Sequence, residues 1–146
     1  MARPRSDSTV QRKIGERLVK SFSSDLEVPL EQEKKLGCGS SCTVKVDGYS
    51  ANPPILCEAW AHHGPPKGGQ LYKVMTDALK LIFVEKYLRK RHRKILLFSN
   101  EDARKPFIGK SWKAQFLRDY DIETKVLPLS VKQRHELIEA QEQQKW

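Results

Sequence analysis

Ile55-Leu56-Cys57-Glu58-Ala59-Trp60-Ala61 is a short apolar run with one acid inside it. Apolar residues fall on both parities of the run, the pattern of a strand covered on two faces rather than one. An ionised carboxylate in such a place costs several kcal/mol unless something cationic compensates it. Upstream, Thr43-Val44-Lys45-Val46-Asp47 reads as a second strand that ends in an acid of its own. Between the two lies Gly48-Tyr49-Ser50-Ala51-Asn52-Pro53-Pro54, a loop with strong turn chemistry, so the strands are expected to pair as a hairpin. Asp47 and Glu58 then sit on adjacent strands, where one bound metal ion would compensate both.

Downstream, His62-His63-Gly64-Pro65-Pro66-Lys67-Gly68-Gly69 breaks regular structure before a long helical run over about 70–90, apolar over a broad arc. Ile95-Leu96-Leu97-Phe98 follows as a short buried strand. A strand, a crossover helix and another strand in this order imply parallel pairing. Residues 109–120 predict a further helix and 122–127 a strand. Ser130 with Gln133 caps a last helix carrying Leu137 and Ile138. On the N-terminal side, Ser8 and Gln11 have capping-box spacing, and Val10, Ile14, Leu18 and Phe22 form a stripe at helical period. Residues 26–35 suggest a weak edge strand. The expected fold is α/β: a three-layer sandwich with a central mixed sheet, as one domain over 8–146 after a disordered basic lead-in at 1–7.

A chain of 146 residues is long enough to bury about two thirds of its unfolded surface, and so to have a real core. Its 27 Lys and Arg against 18 Asp and Glu give a net charge of +9, which favours polyanionic partners. Three cysteines, an odd number, with no leader or spanning apolar run in view, suggest a cytoplasmic setting and no membrane partner. Cys38, Cys42, Cys57 and His62 are too loosely spaced for a convincing zinc site. Gly109-Lys110-Ser111 resembles the end of a phosphate-binding loop, but Arg104 stands where that loop needs glycine and Pro106 falls within it. His62 and His63 are expected to be solvent-exposed.

On the long helix, Gln70, Lys73, Asp77 and Lys80 fall within about an 80° arc. Because the helix starts directly after the Glu58 strand, its first turns can face the acids. A solvated face with a Lys73 and Asp77 pair is the plainer account of the stripe.

This arrangement, a helix, an Asp on one hairpin strand, a Glu within the next, then a long helix, resembles the PD-(D/E)XK nuclease superfamily. The resemblance spans roughly 8–127 and implies a restriction-endonuclease-like αβββαβ core, here with an additional strand and helices. It implies that Asp47 and Glu58, with a strand carbonyl near Ala59, hold Mg²⁺ or Mn²⁺ for hydrolysis of phosphodiester bonds in nucleic acid, with DNA the expected substrate. In that family a lysine two residues after the Glu assists the attacking water; here the position is Trp60, which can neither carry charge nor take a proton. Family members are known in which that lysine has moved to the following helix, which makes Lys73 the candidate and Lys67 the reserve, with Gln70 placed to hold the water. Glu16 would correspond to a first-helix acid of some members, although its helical angle is opposite the apolar stripe. Phosphate contacts are expected from Lys67, Arg89, Arg91, Arg93, Lys110 and Lys113. Loss of the reaction with retention of nucleic-acid binding is the alternative that Trp60 raises. A structural or partner-binding protein is the third reading, drawn from the glutamine-rich end at 141–144, and a homodimer or a partner protein is left open.

Overall fold

The computed structural model describes residues 5–143. The elements are α1 (Arg5–Leu26), β1 (Glu31–Gly37), β2 (Thr43–Ser50), β3 (Ile55–Trp60), α2 (Gly69–Leu88), β4 (Arg93–Phe98), α3 (Glu101–Arg104), a 3₁₀ turn (Lys105–Phe107), α4 (Trp112–Asp119), β5 (Ile122–Val126) and α5 (Val131–Gln143). The strands form one sheet in sequence order, β1-β2-β3-β4-β5. β1 is antiparallel to β2 and β2 to β3, whereas β3, β4 and β5 are parallel. This is the expected α/β three-layer sandwich with a mixed sheet. No described helix is long and apolar enough to cross a membrane.

Period-two alternation sends the β3 side chains to two separate cores. Leu56 and Trp60 pack under α2 with Val74, Ala78, Leu81 and Phe98, a core completed by Ala103, Phe107 and Leu117 from the segment between β4 and β5. Ile55 and Cys57 pack under α1 with Leu18, Val19, Phe22, Ile95 and Leu97. α5 lies beside α1. Gly15 brings α1 close over β3, where an added Cβ would sit 3.9 Å from that of Ala59.

Several boundaries move. α1 begins at Arg5, so three residues of the basic lead-in are helical, while residues 1–4 lie outside the described residues. The edge strand is real but later, Glu31–Gly37, and its charged residues face water as suits an exposed sheet edge. β2 continues through Gly48 and Tyr49 to Ser50, so the connection to β3 shrinks to residues 51–54. α4 starts at Trp112, with Ser111 as its N-cap accepting from the Ala114 N–H at 3.2 Å.

Candidate active site

Asp-Gly is ordinarily a turn signal, yet Asp47-Gly48 lies within a strand. Packing explains this: a Cβ at Gly48 would fall 2.4 Å from Cys57 Sγ and 3.0 Å from Val19 Cγ1. Only glycine lets β2 cross so close to β3 and α1. The β2–β3 ladder holds only at Ser50↔Ile55, Tyr49↔Leu56 and Gly48↔Cys57, while β3 remains paired to β4 as far as Trp60↔Phe98. Beyond Gly48 and Cys57 the sheet splits. The Ala59 N–H, on the split side, is taken by the Asp47 carboxylate, which accepts it at 2.8 Å.

Asp47 therefore stands at the split, and it lines two neighbouring cavities. A cleft of about 440 Å³ is walled by Asp47, Glu58, Trp60, Gln70, Asp77 and Lys80, with Lys73 and His62 also on its lining and Gln11 and Arg12 reaching it from α1. A smaller cavity of about 90 Å³ on the α1 side is bounded by Glu16, Gly15, Glu33 and Ala59 as well as Asp47. Glu16, expected to face away, is half-buried and lines the same small cavity as Asp47.

Glu58 is 3% exposed and forms an ion pair with Lys80 Nζ. Its Oε1 faces that ammonium yet is buried without a hydrogen bond of good geometry. Burial pushes the Glu58 carboxyl far above the ordinary range, and a hydrogen bond with Asp47 and the charge of Asp47 add to this; Lys80 only partly offsets them. Burial works against the Lys80 ammonium, but Glu58, and then Asp77 and Asp47, outweigh it and hold Lys80 above the usual lysine value. Asp77 is raised to about 6, chiefly by burial, with Asp47 adding to the rise and Lys80 and Lys73 opposing it. Asp47, Glu58 and Asp77 thus line one cleft together with Lys73 and Lys80.

Among the sequence candidates, Asp47, Glu58, Gln70 and Lys73 are brought to one cleft. Gln70 is partly committed, since its Oε1 accepts the Lys67 backbone N–H at 2.9 Å and closes the entry turn of α2. Lys73 is exposed, and Lys67 is exposed in that entry loop. Asp77 and Lys80 are the residues whose part was missed; the shared stripe carried the signal, but Lys80 lies two turns beyond Lys73 and meets the acid because α2 crosses β3 there. The Trp60 ring is buried, stacks on His62 with centroids 4.5 Å apart and meets Phe98 edge-on. His62 is accordingly buried rather than solvent-exposed, and burial, then the neighbouring His63, lower its pKa. Its backbone carbonyl accepts from Ser99 Oγ at 2.9 Å and from Asn100 Nδ2.

The basic candidates separate. β3 and β4 are parallel with Ile55 opposite Arg93, so the segment from Arg89 to Arg93 lies at the end of the sheet away from Trp60 and His62. There Arg93 makes a two-pronged contact with Glu123 at 2.7 and 2.9 Å, and Arg91 meets Asp121 at 3.3 Å. Lys94, next in sequence, is buried against Glu85. Arg89 is the left-handed C-cap of α2. Lys110 is exposed ahead of α4, and Lys113 lies over the rings of Trp112 and Tyr72. Cys57 packs toward α1 while His62 stacks on the α2 side, so the paper zinc set does not converge. Of the glutamine-rich end, Gln144 lies outside the described residues, and Gln141 is engaged within the chain: its side-chain amide brackets the His63 backbone, accepting from N–H at 2.6 Å and donating to C=O at 3.1 Å.

Comparison with protein-family models, with curated proteins and with solved structures returned no match.

Among the described residues, no three of His, Cys, Asp and Glu are grouped to enclose a metal ion. Asp47 and Glu58 nevertheless offer hard oxygen donors, and the buried Glu58 Oε1 lacks a proper hydrogen bond. Such a donor pair suits Mg²⁺ or Mn²⁺, ions that retain several waters and take the rest of their shell from one or two carboxylates and substrate phosphate.

Proposed function

We propose that this chain is a metal-dependent nuclease that hydrolyses phosphodiester bonds in nucleic acid, with DNA the expected substrate, on the pattern of the PD-(D/E)XK superfamily. The observation that carries the reading is the buried Glu58 beside a sheet split bridged by Asp47, opening onto a cleft lined with lysines. A structural ion pair alone does not call for a second acid, Asp47, at a broken ladder beside Glu58.

Asp47 and Glu58 would hold Mg²⁺ or Mn²⁺, which when bound supplies Lewis-acid polarisation of the phosphodiester and an acidified water. Lys80 neutralises Glu58 and fixes its orientation. Lys73, exposed on the cleft wall, stabilises the negative charge that develops on the phosphate. The Gln70 side-chain NH₂ remains to orient water, its oxygen being engaged with Lys67. Asp77 adjusts the charge between Lys73 and Lys80. Trp60 and His62, stacked on one another, form one wall of the cleft that holds Glu58.

Titration calorimetry with Mn²⁺ tests the reading on the wild type, Asp47→Asn and Glu58→Gln, each checked for folding by circular dichroism. Binding that falls about tenfold or more in either variant, together with lost cleavage, is expected, since one carboxylate is a large part of so small a ligand set. Unchanged Mn²⁺ affinity in both variants, or cleavage that survives in either, overturns it. Trp60 at the family's lysine position favours a second reading, a nucleic-acid-binding module that lacks the reaction. That reading expects nucleic-acid binding with no carboxylate-dependent Mn²⁺ affinity.

A further inference from the structure

Tyr72 and Trp112 are large aromatic residues left 62% and 63% exposed. Single exposed aromatics need no explanation. These two come from different elements, the first turn of α2 and the start of α4, and one cation joins them: Lys113 Nζ lies 5.3 Å from the Tyr72 ring centre and 4.7 Å from that of Trp112. Tyr72 is also next in sequence to Lys73, and Gln70, Lys73 and Asp77 of the same helix line the cleft. Tyr72 is one residue, about 1.5 Å along the axis and about 100° around the helix, from Lys73, so the aromatic patch lies round α2 from the cleft wall.

The geometry points to the Tyr72–Lys113–Trp112 patch as a stacking platform for unpaired bases, which would make single-stranded nucleic acid the preferred substrate of the neighbouring cleft. The proposal deepens the nuclease reading and rests on it for the cleft's role, but not for the platform's own binding. Three features select this occupant. Exposed ring faces accept any base, because every base has a π-face. Lys113, with the exposed Lys110, Lys73 and Lys67, supplies charge complementary to a phosphate backbone. Bases paired in a duplex are stacked on one another and cannot lie on these rings, so the patch discriminates by strandedness rather than by sequence. Beyond Tyr72 the outer face of α2 continues with the exposed Leu79, Phe83 and Tyr87, flanked by Lys73, Lys86, Arg89 and Lys90. A protein partner on that face would depend on Leu79 and Phe83, not on Trp112.

Fluorescence anisotropy tests this with the full chain, a chelator present so that nothing is cleaved, and labelled oligo-deoxythymidine of about 15 nucleotides, a length within the range that small single-strand binders cover. Oligo-uridine and a blunt hairpin duplex form the other arms and separate DNA from RNA and unpaired from paired substrate. Tyr72→Ala and Trp112→Ala are each expected to weaken single-strand binding about 5- to 150-fold, the range for loss of one base–aromatic stack. Tyr72→Phe should restore most of it, and duplex affinity should change less than about twofold. Single-strand affinity unchanged in the double alanine variant, or lost equally on duplex, overturns the platform; a loss that follows Leu79→Ala instead assigns the face to a protein partner and also overturns it. If single-strand binding depends on Tyr72 and Trp112 but Mn²⁺ binding and cleavage are absent, the nuclease reading fails and the platform stands. Cleavage with no sensitivity to either ring gives the reverse.

Discussion

Glu58 and Lys80 show how one buried acid can be tolerated within an apolar strand. Truncating Lys80 to alanine removes the one ammonium paired with Glu58 among the described residues, so Mn²⁺ affinity should fall along with turnover as Glu58 loses the group that orients it. Lys73→Ala should instead lower turnover by about 10²-fold, in the range for losing one preorganised charge-stabilising group, and leave Mn²⁺ affinity in place. Calorimetry beside a cleavage assay separates the two lysines, and equal effects would show that their roles are not divided. Asp77 bears on stability. Its pKa is raised from the ordinary aspartate value to about 6, so the folded state holds that proton more tightly than the unfolded chain does. The associated stability is fully present below about pH 4 and is lost as pH rises through about 6. Urea unfolding from pH 4 to 7 should show wild type losing stability relative to Asp77→Asn across that window. Parallel curves would mean that Asp77 is not shifted.

At the scale of elements, the crossing of β2 over β3 decides the site. Gly48→Ala drives a methyl group into Cys57 Sγ and Val19, both fully or nearly fully buried, and should destabilise the fold by about 1–3 kcal/mol, as overpacking does. Gly48→Ala combined with Cys57→Ala should recover part of that in denaturant melts; no recovery would place the strain elsewhere. The same crossing explains what the sequence could and could not tell. α2 was legible because its apolar arc repeats at helical period over twenty residues, β3 because its apolar run had turn chemistry on both sides, and β4 because a short apolar run followed the basic end of that helix. The Asp47 and Glu58 pairing was legible from two acids at strand positions. β2 beyond Asp47 was not, because Asp-Gly carries local turn chemistry that only the contact with Cys57 and Val19 overrides. β1 was placed early because Glu31, Gln32, Glu33, Lys34 and Lys35 have no apolar alternation, and pairing with β2 decides its register. Lys80 was missed as the partner of Glu58 because the stripe gives an angle around the helix, not the height at which the helix crosses the strand. His62 looked exposed beside Gly64 and Pro65, and it is the Trp60 ring, two residues back, that covers it.

Taken whole, the molecule distributes its charge of +9 unevenly. At the end remote from His62, Arg91, Arg93 and Lys94 are matched by Asp121, Glu123 and Glu85, so much of what reads as a basic run in the sequence is spent on the fold. Arg93→Ala should therefore leave the salt dependence of nucleic-acid binding unaltered, with a stability change of at most about 1 kcal/mol for a half-exposed pair. Lys73→Ala and Lys113→Ala should each lower the slope of log affinity against log salt by about 0.7–0.9, the value for one phosphate contact. A slope that falls with Arg93 instead would move the binding face to the opposite end of the sheet. The break between β2 and β3 has a mechanical meaning at this scale. The sheet is two half-sheets, β1–β2 and β3–β4–β5, sewn by a short seam, with the Asp47 carboxylate as the last stitch on the Ala59 N–H. One acid belongs to each half, so anything that gripped Asp47 and Glu58 together would also set how far the seam can gape, and a ligand held by both would stiffen the sheet across its seam.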